Sequence, residues 1–186
     1  MTIARYLFPV PPRPRDRSAG IFHVFTRCVY ASPALYRDDL DRLEFIRYLA
    51  RTTAKSAWTC MAFCLMSTHY HLIVEVQDDV LPRAMHSLNL PYARAFNRRH
   101  RLKGHVQFRP YGAKRIGGEG DLVGRYRYVV RNPVRAGLCV AAEDWAWSSF
   151  AGTLGVGEQH SFVDDRPVSR LFADLGELRS LVNEPR

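Results

Sequence analysis

Two histidines, His69 and His71, stand two residues apart in the apolar run Met61 to Val76, MAFCLMSTHYHLIVEV. On an extended strand that spacing puts both imidazoles on one face and turns Tyr70 to the other. Imidazoles held rigidly in this way are good ligands for a divalent cation. The competing reading makes one histidine a satisfied polar residue at a sheet edge and the other incidental. The pair alone does not decide between them. Further along, YRYVVRNPVRAGL (Tyr126 to Leu138) brings two tyrosines and an amide into one short stretch. A tyrosine oxygen can attack phosphorus and keep the phosphate in covalent form until a hydroxyl reverses the step. Free tyrosine, with a pKa near 10, is a poor nucleophile at neutral pH, so such a step calls for a cation on the phosphate. Tyr126 and Tyr128 point in very different directions on a helix, whereas Tyr128 and Asn132 share a face if the helix persists. Asn132 before Pro133 also reads as the N-cap of a short helix closed by Gly137.

Charge narrows the partner. The chain has 186 residues, with 27 Lys+Arg against 18 Asp+Glu, a net charge of +9 and a pI near 9.8. Lys55, Lys103 and Lys114 are its only lysines, so the excess is carried by arginine, whose fork suits phosphate oxygens. A basic domain of this kind has a polyanion, nucleic acid first, as its default partner. Candidate DNA-binding residues are Arg13, Arg15 and Arg17 in a Pro/Arg-rich arm, Arg27, then Arg98, Arg99 and Arg101, then Arg131 and Arg135. Any one of them also reads as a solvated surface charge; together they imply steeply salt-dependent binding. Neighbouring aromatics could stack on unpaired bases. Cys28, Cys60, Cys64 and Cys139 lack zinc-ribbon spacing, and Cys60 and Cys64 read as small hydrophobes. No apolar run approaches the ~18 residues of a membrane helix, and the first residues lack a signal-peptide core. The expectation is a cytoplasmic protein with reduced thiols and no membrane partner.

The elements that must hold these groups follow from periodicity. Residues 1–20 read as a basic arm, 21–152 as the functional domain, and 153–186 as a C-terminal tail or helix. Ile21 to Tyr30 is β-branched and aromatic, a strand. Leu40, Leu43, Ile46 and Leu49 predict an amphipathic helix over Asp38 to Lys55. Trp58 to Met66 and His69 to Val76 read as a hairpin turning at Ser67-Thr68. Leu81, Met85, Leu88, Tyr92 and Phe96 predict a helix to about Arg101, kinked or split at Pro91. Residues 105–120 read as irregular, Asp121 to Arg131 as a helix, and Pro167 to Val182 as a weaker one. This order predicts an α+β fold, antiparallel strands covered by helices on one face.

Three fragments occur in one order: HVFTR (His23 to Arg27), MSTHYHLIVE (Met66 to Glu75) and YRYVVRNPVRAGL, with WSSF (Trp147 to Phe150) behind them. Together they resemble the single-tyrosine HUH transposases of the IS200-like class, and within it the REP-associated tyrosine transposases. The resemblance implies a ferredoxin-like antiparallel β-sheet with flanking α-helices, HUH nuclease-like. It further implies a metal-dependent endonuclease that cleaves and rejoins single-stranded or hairpin (REP-like) DNA through a 5′-phosphotyrosine. The family pattern puts the nucleophile four residues before Asn-Pro, at Tyr128. The metal ligands become His69, His71 and Asn132, holding Mg²⁺ or Mn²⁺, and a monomer is favoured over a homodimer. The chain departs from the pattern at Val130, where many relatives carry histidine, and across Gly104 to Ile116, so no role carries over to His105 or Lys114. Two other functions stay open: a catalytically inactive binder of structured DNA, and a metal-dependent phosphodiesterase using activated water.

Overall fold

A computed structural model describes residues 18–27, 34–102 and 110–185. Arg13, Arg15, Arg17, Cys28 and His105 lie outside the described residues. The elements are β1 (Gly20–Arg27), α1 (Asp39–Lys55), β2 (Trp58–Met66), β3 (His69–Val76), α2 (Val80–Arg99), β4 (Gly112–Arg115), α3 (Glu119–Val130), α4 (Asn132–Arg135), α5 (Phe150–Thr153), α6 (Arg166–Ser169) and α7 (Leu175–Asn183). The strands form one antiparallel sheet in the order β2-β3-β1-β4. This βαββαβ arrangement is the α+β, ferredoxin-like sheet with flanking helices that the sequence led us to expect. The β2–β3 hairpin turns at Ser67-Thr68, pairing Met66 with His69.

β4 lies where an irregular segment was expected. Its sequence, GAKR, has no apolar alternation and its last three residues are exposed. Backbone pairing to β1, from Phe22↔Arg115 to Phe25↔Gly112, holds this edge strand rather than burial, so a hydrophobicity reading passes over it.

The sheet is also covered on both faces, not one. Phe22, Val24, Phe63, Leu65, Tyr70, Leu72 and Val74 pack against Phe45 and Leu49 of α1 and Leu81, Met85, Leu88 and Tyr92 of α2. On the other face Met61, Ala62, Cys64, Met66 and Ile73 meet Leu122, Tyr126, Val129 and Val130 of α3, with Phe150, Val168, Leu178 and Val182 from the C-terminal helices. Every residue of β2 but Thr59 is buried, the pattern of a strand enclosed on both sides. A bulge between Cys60 and Ala62 shifts which residues face which layer. The outer edge of β2 is closed by backbone bonds from Leu65 N to Trp147 O (2.8 Å), Ser149 N to Phe63 O (3.1 Å) and Asp164 N to Cys60 O (2.8 Å). Cys60 and Cys64 are buried free thiols, and burial pushes Cys60 up to about 12 and Cys64 upward too.

Two of the longer helices differ in detail from the periodicity reading, and the single C-terminal helix expected over Pro167 to Val182 is two short ones, α6 and α7. Leu40 and Leu43 are 61% and 49% exposed. The buried stripe of α1 is Asp41, Phe45, Leu49 and Thr52, and its polar head hid it from a hydrophobic pattern. Asp41 is accommodated because it accepts hydrogen bonds from Arg37 N (2.8 Å), from the Arg99 guanidinium, and contacts His100 (2.9 Å). α2 runs unbroken through Pro91, because the stripe Leu81 to Phe96 stays buried on both sides of it. Packing thus outweighs the one helical hydrogen bond that proline removes.

Candidate active site

Alternation along β1 and β3 decides which side chains meet. Because Phe22, Val24, Tyr70 and Leu72 face α1 and α2, the odd-numbered His23, Phe25, Arg27, His69 and His71 face the α3 layer. Register places Phe25 opposite His71 and Arg27 opposite His69, with His23 on the diagonal to His71. His23 and His71 are only 3% and 6% exposed.

Each proposed ligand histidine is held through Nδ1. His69 Nδ1 lies 3.1 Å from Thr68 Oγ1, and His71 Nδ1 lies 2.9 Å from His23 Nε2. His69 Nε2 lies 3.4 Å from the side-chain oxygen of Asn132. Asn132 does not cap α4: the cap residue is Arg131, with no side-chain cap bond, and Asn132 is the first helical residue. The chain passes from α3 into α4 with little interruption, through Arg131 N to Arg127 O and Arg135 N to Arg131 O, both 3.0 Å. Near-helical continuity keeps Tyr128 and Asn132 on one face.

Tyr128 is 36% exposed, with its ring centroid 5.5 Å from that of His71 and 5.7 Å from that of His23, both edge-on. The Arg135 guanidinium lies 5.1 Å from the Tyr128 ring centre. Tyr126 is buried and its hydroxyl reaches Thr153 Oγ1 at 3.4 Å, so it is a packing residue. Val130 is fully buried in the α3 layer and takes no part in the cleft.

A cleft of about 500 Å³ gathers His23, Arg27, His69, His71, Lys114, Arg125 and Tyr128. On the other side of Tyr128 a smaller one, about 230 Å³, is walled by Arg127, Arg131 and Arg135. Those three arginines recur every four residues, and the Nε atoms of Arg127 and Arg131 are buried with no hydrogen-bond partner among the described residues. Burial, then the Arg125 and Lys114 cations, lowers His23 to about 4. Burial, then His23, His69 and Arg27, lowers His71 to about 3. His69 is lowered too, mainly by burial. All three imidazoles are therefore neutral at pH 7, the form whose nitrogen lone pair can bind a cation. No group of three or more His, Cys, Asp or Glu among the described residues is arranged as a metal cage. Two neutral imidazoles joined by an amide oxygen form an incomplete donor set, which suits a cation that keeps positions open for substrate oxygens.

Not every expected DNA contact lies here. Arg27 lines the main cleft, and Arg131 and Arg135 the second. Arg98 and Arg99 end α2, on the opposite face of the sheet, with Arg101 just beyond. Arg99 is committed to Asp38 at 2.7 Å and to the buried Asp41. Sequence reasoning did not single out His23, Thr68, Arg125 or Arg127, and left Lys114 without a role. The alternation His23, Phe25, Arg27 was visible within HVFTR, but its partner depended on long-range register. Arg127 could have been found from its four-residue spacing to Arg131.

Residues 17–131 match the family described as IS200-like transposases, a span that includes both histidines and Tyr128. Among solved structures the chain is similar to a REP-associated tyrosine transposase bound to a REP hairpin. That likeness has a TM-score of 0.65 at 15% identity, over 81% of this chain and 92% of that one. No curated protein matches the sequence. With more than half its length matched by the family and the same fold in that neighbour, the chain belongs to the IS200-like transposases.

Proposed function

We propose that the protein cleaves and rejoins single-stranded DNA at hairpins, with Tyr128 as nucleophile. The Tyr128 phenol loses its proton to solvent and its oxygen bonds to the scissile phosphorus. The P–O3′ bond breaks, and the 3′-oxygen leaves as a hydroxyl on taking up a proton. The 5′-phosphate stays esterified to Tyr128, and attack by a DNA hydroxyl reverses the sequence to rejoin strands. Mg²⁺ or Mn²⁺ held by His69, His71 and Asn132 would polarise the phosphate and offset the charge that builds on it. Arg27, Lys114 and Arg125 line the cleft as charge partners for phosphate oxygens. Arg127, Arg131 and Arg135 offer a track for neighbouring phosphates, and Arg135 holds the Tyr128 ring from one side. Tyrosine and histidines come from one chain, so a monomer suffices to build the site. A cytoplasmic, nucleoid-associated location belongs to the same reading.

The observation that carries the proposal is the meeting of Tyr128, His69 and His71 in one basic cleft, with the Asn132 oxygen at His69 Nε2. Incubation with hairpin DNA and Mn²⁺ should give a covalent protein–DNA band on a denaturing gel, absent in Tyr128→Phe. His71→Ala should lose the band and keep DNA affinity. Cleavage without an adduct would favour water attack, and binding without cleavage would leave an inactive binder.

A further inference from the structure

The geometry points to His23 as the residue that sets the working tautomer of His71, a positioning role resting on the metal-binding reading above. A ligating imidazole must present an unprotonated nitrogen, and the hydrogen bond at its other nitrogen decides which one that is. In this site both histidines are engaged at Nδ1, His69 by Thr68 Oγ1 at 3.1 Å and His71 by His23 Nε2 at 2.9 Å; this turns Nε2 of His69 toward the Asn132 oxygen at 3.4 Å and leaves Nε2 of His71 for a ligand.

Between two neutral rings a 2.9 Å contact holds one proton, and it has two arrangements. When His71 Nδ1–H donates to His23 Nε2, the His71 Nε2 lone pair is free for a cation and His23 carries its own proton on Nδ1. When His23 Nε2–H donates to His71 Nδ1, the His71 proton sits on Nε2 and the ring cannot ligate. A cation held at His71 Nε2 would favour the first arrangement, and His23 supplies the acceptor that makes it available. The pair is shielded enough to keep this geometry: the two residues are 3% and 6% exposed, on adjacent strands with ring centroids 5.0 Å apart. His23 touches neither the substrate nor the cation in this scheme; it acts through His71.

The test uses the full chain without DNA. Calorimetric titration of Mn²⁺ into His23→Phe, which keeps a ring and removes the acceptor, should show affinity about 10- to 100-fold weaker than wild type. His23→Gln, whose amide oxygen reaches the place of Nε2, should stay within roughly threefold, since it restores an acceptor for the His71 Nδ1–H. In Mg²⁺-saturated wild type, ¹⁵N spectra of the imidazoles should show His71 protonated at Nδ1, a readout that stands even if His23→Phe unfolds. Unchanged Mn²⁺ affinity in folded His23→Phe, or an Nε2-protonated His71 in the Mg²⁺-saturated protein, overturns the role of His23. Unchanged Mn²⁺ affinity in His71→Ala defeats the metal reading itself, and the positioning role with it.

Discussion

Lowering the pH from 7 to 5 should cost this protein stability through His23 and His71. Both are almost fully buried, and burial holds them near 4 and 3, below the 6.5 of an exposed imidazole. As pH falls, the unfolded chain therefore takes up protons first. The stabilisation is intact above about 6.5 and is lost progressively as pH drops toward the folded values. At pH 5 an unfolded imidazole is almost fully protonated while either buried one is still neutral. A gap of roughly 1.5 pH units at 1.36 kcal/mol each gives about 2 kcal/mol per histidine, about 4 kcal/mol for the two. Against the 5–15 kcal/mol typical of a whole domain, that is a large fraction. The assay is urea denaturation at pH 7 and pH 5, for wild type and for the His23→Gln/His71→Gln double variant. His69 and His160, also lowered by burial, titrate in both proteins and cancel from the difference. The variant should lose about 4 kcal/mol less than wild type between the two pH values. Equal losses would mean that these imidazoles are not held neutral, and the reasoning from burial to metal-ready nitrogen would fail.

Other perturbations probe the frame around the site. Asp41→Ala should destabilise by about 2 kcal/mol in denaturant melts, because it removes the buried acceptor of Arg37 N and the Arg99 guanidinium and the partner of His100. Asp38→Ala, which removes the α1 cap on Asp41 N, should cost nearer 1 kcal/mol. Gly112→Ala would drive a Cβ into the Phe25 ring, which lies 5.3 Å from His23 and 6.3 Å from His71. It should cost roughly 1–3 kcal/mol in thermal melts and weaken Mn²⁺ binding in the same preparation. Arg131→Gln and Arg135→Gln should each weaken hairpin binding across sequences and lower the salt slope of log K by about 0.7, measured by fluorescence anisotropy.

Much of the frame was legible because its cues are local. The hairpin was bounded to the residue by an apolar run, a polar Ser67-Thr68 break and the run that follows. The stripe of α2 was correct in every member, and only the effect of Pro91 was overestimated, since tertiary packing is invisible to a one-dimensional pattern. β4 and the α1 stripe were missed for a shared reason. Edge pairing holds one and a satisfied buried carboxylate heads the other, and neither leaves a hydrophobic signature. Within the site, His69, His71 and Tyr128 stood out by spacing and by likeness to a family. His23 did not, because its partner lies 48 residues away and is fixed only by the β1–β3 register. Asn132 also read as a helix cap, and the structure puts the cap position one residue earlier, at Arg131.

The adjacent tyrosines give a direct way to test the chemistry. Trypsin cuts after Arg125, Arg127 and Arg131, which separates Tyr126 and Tyr128 onto different peptides. After reaction with hairpin DNA and Mn²⁺ and nuclease trimming, mass spectrometry should find the added nucleotide on the peptide of residues 128–131. A nucleotide on residues 126–127, on any other peptide, or on none while the DNA is cut, would contradict Tyr128 as the nucleophile.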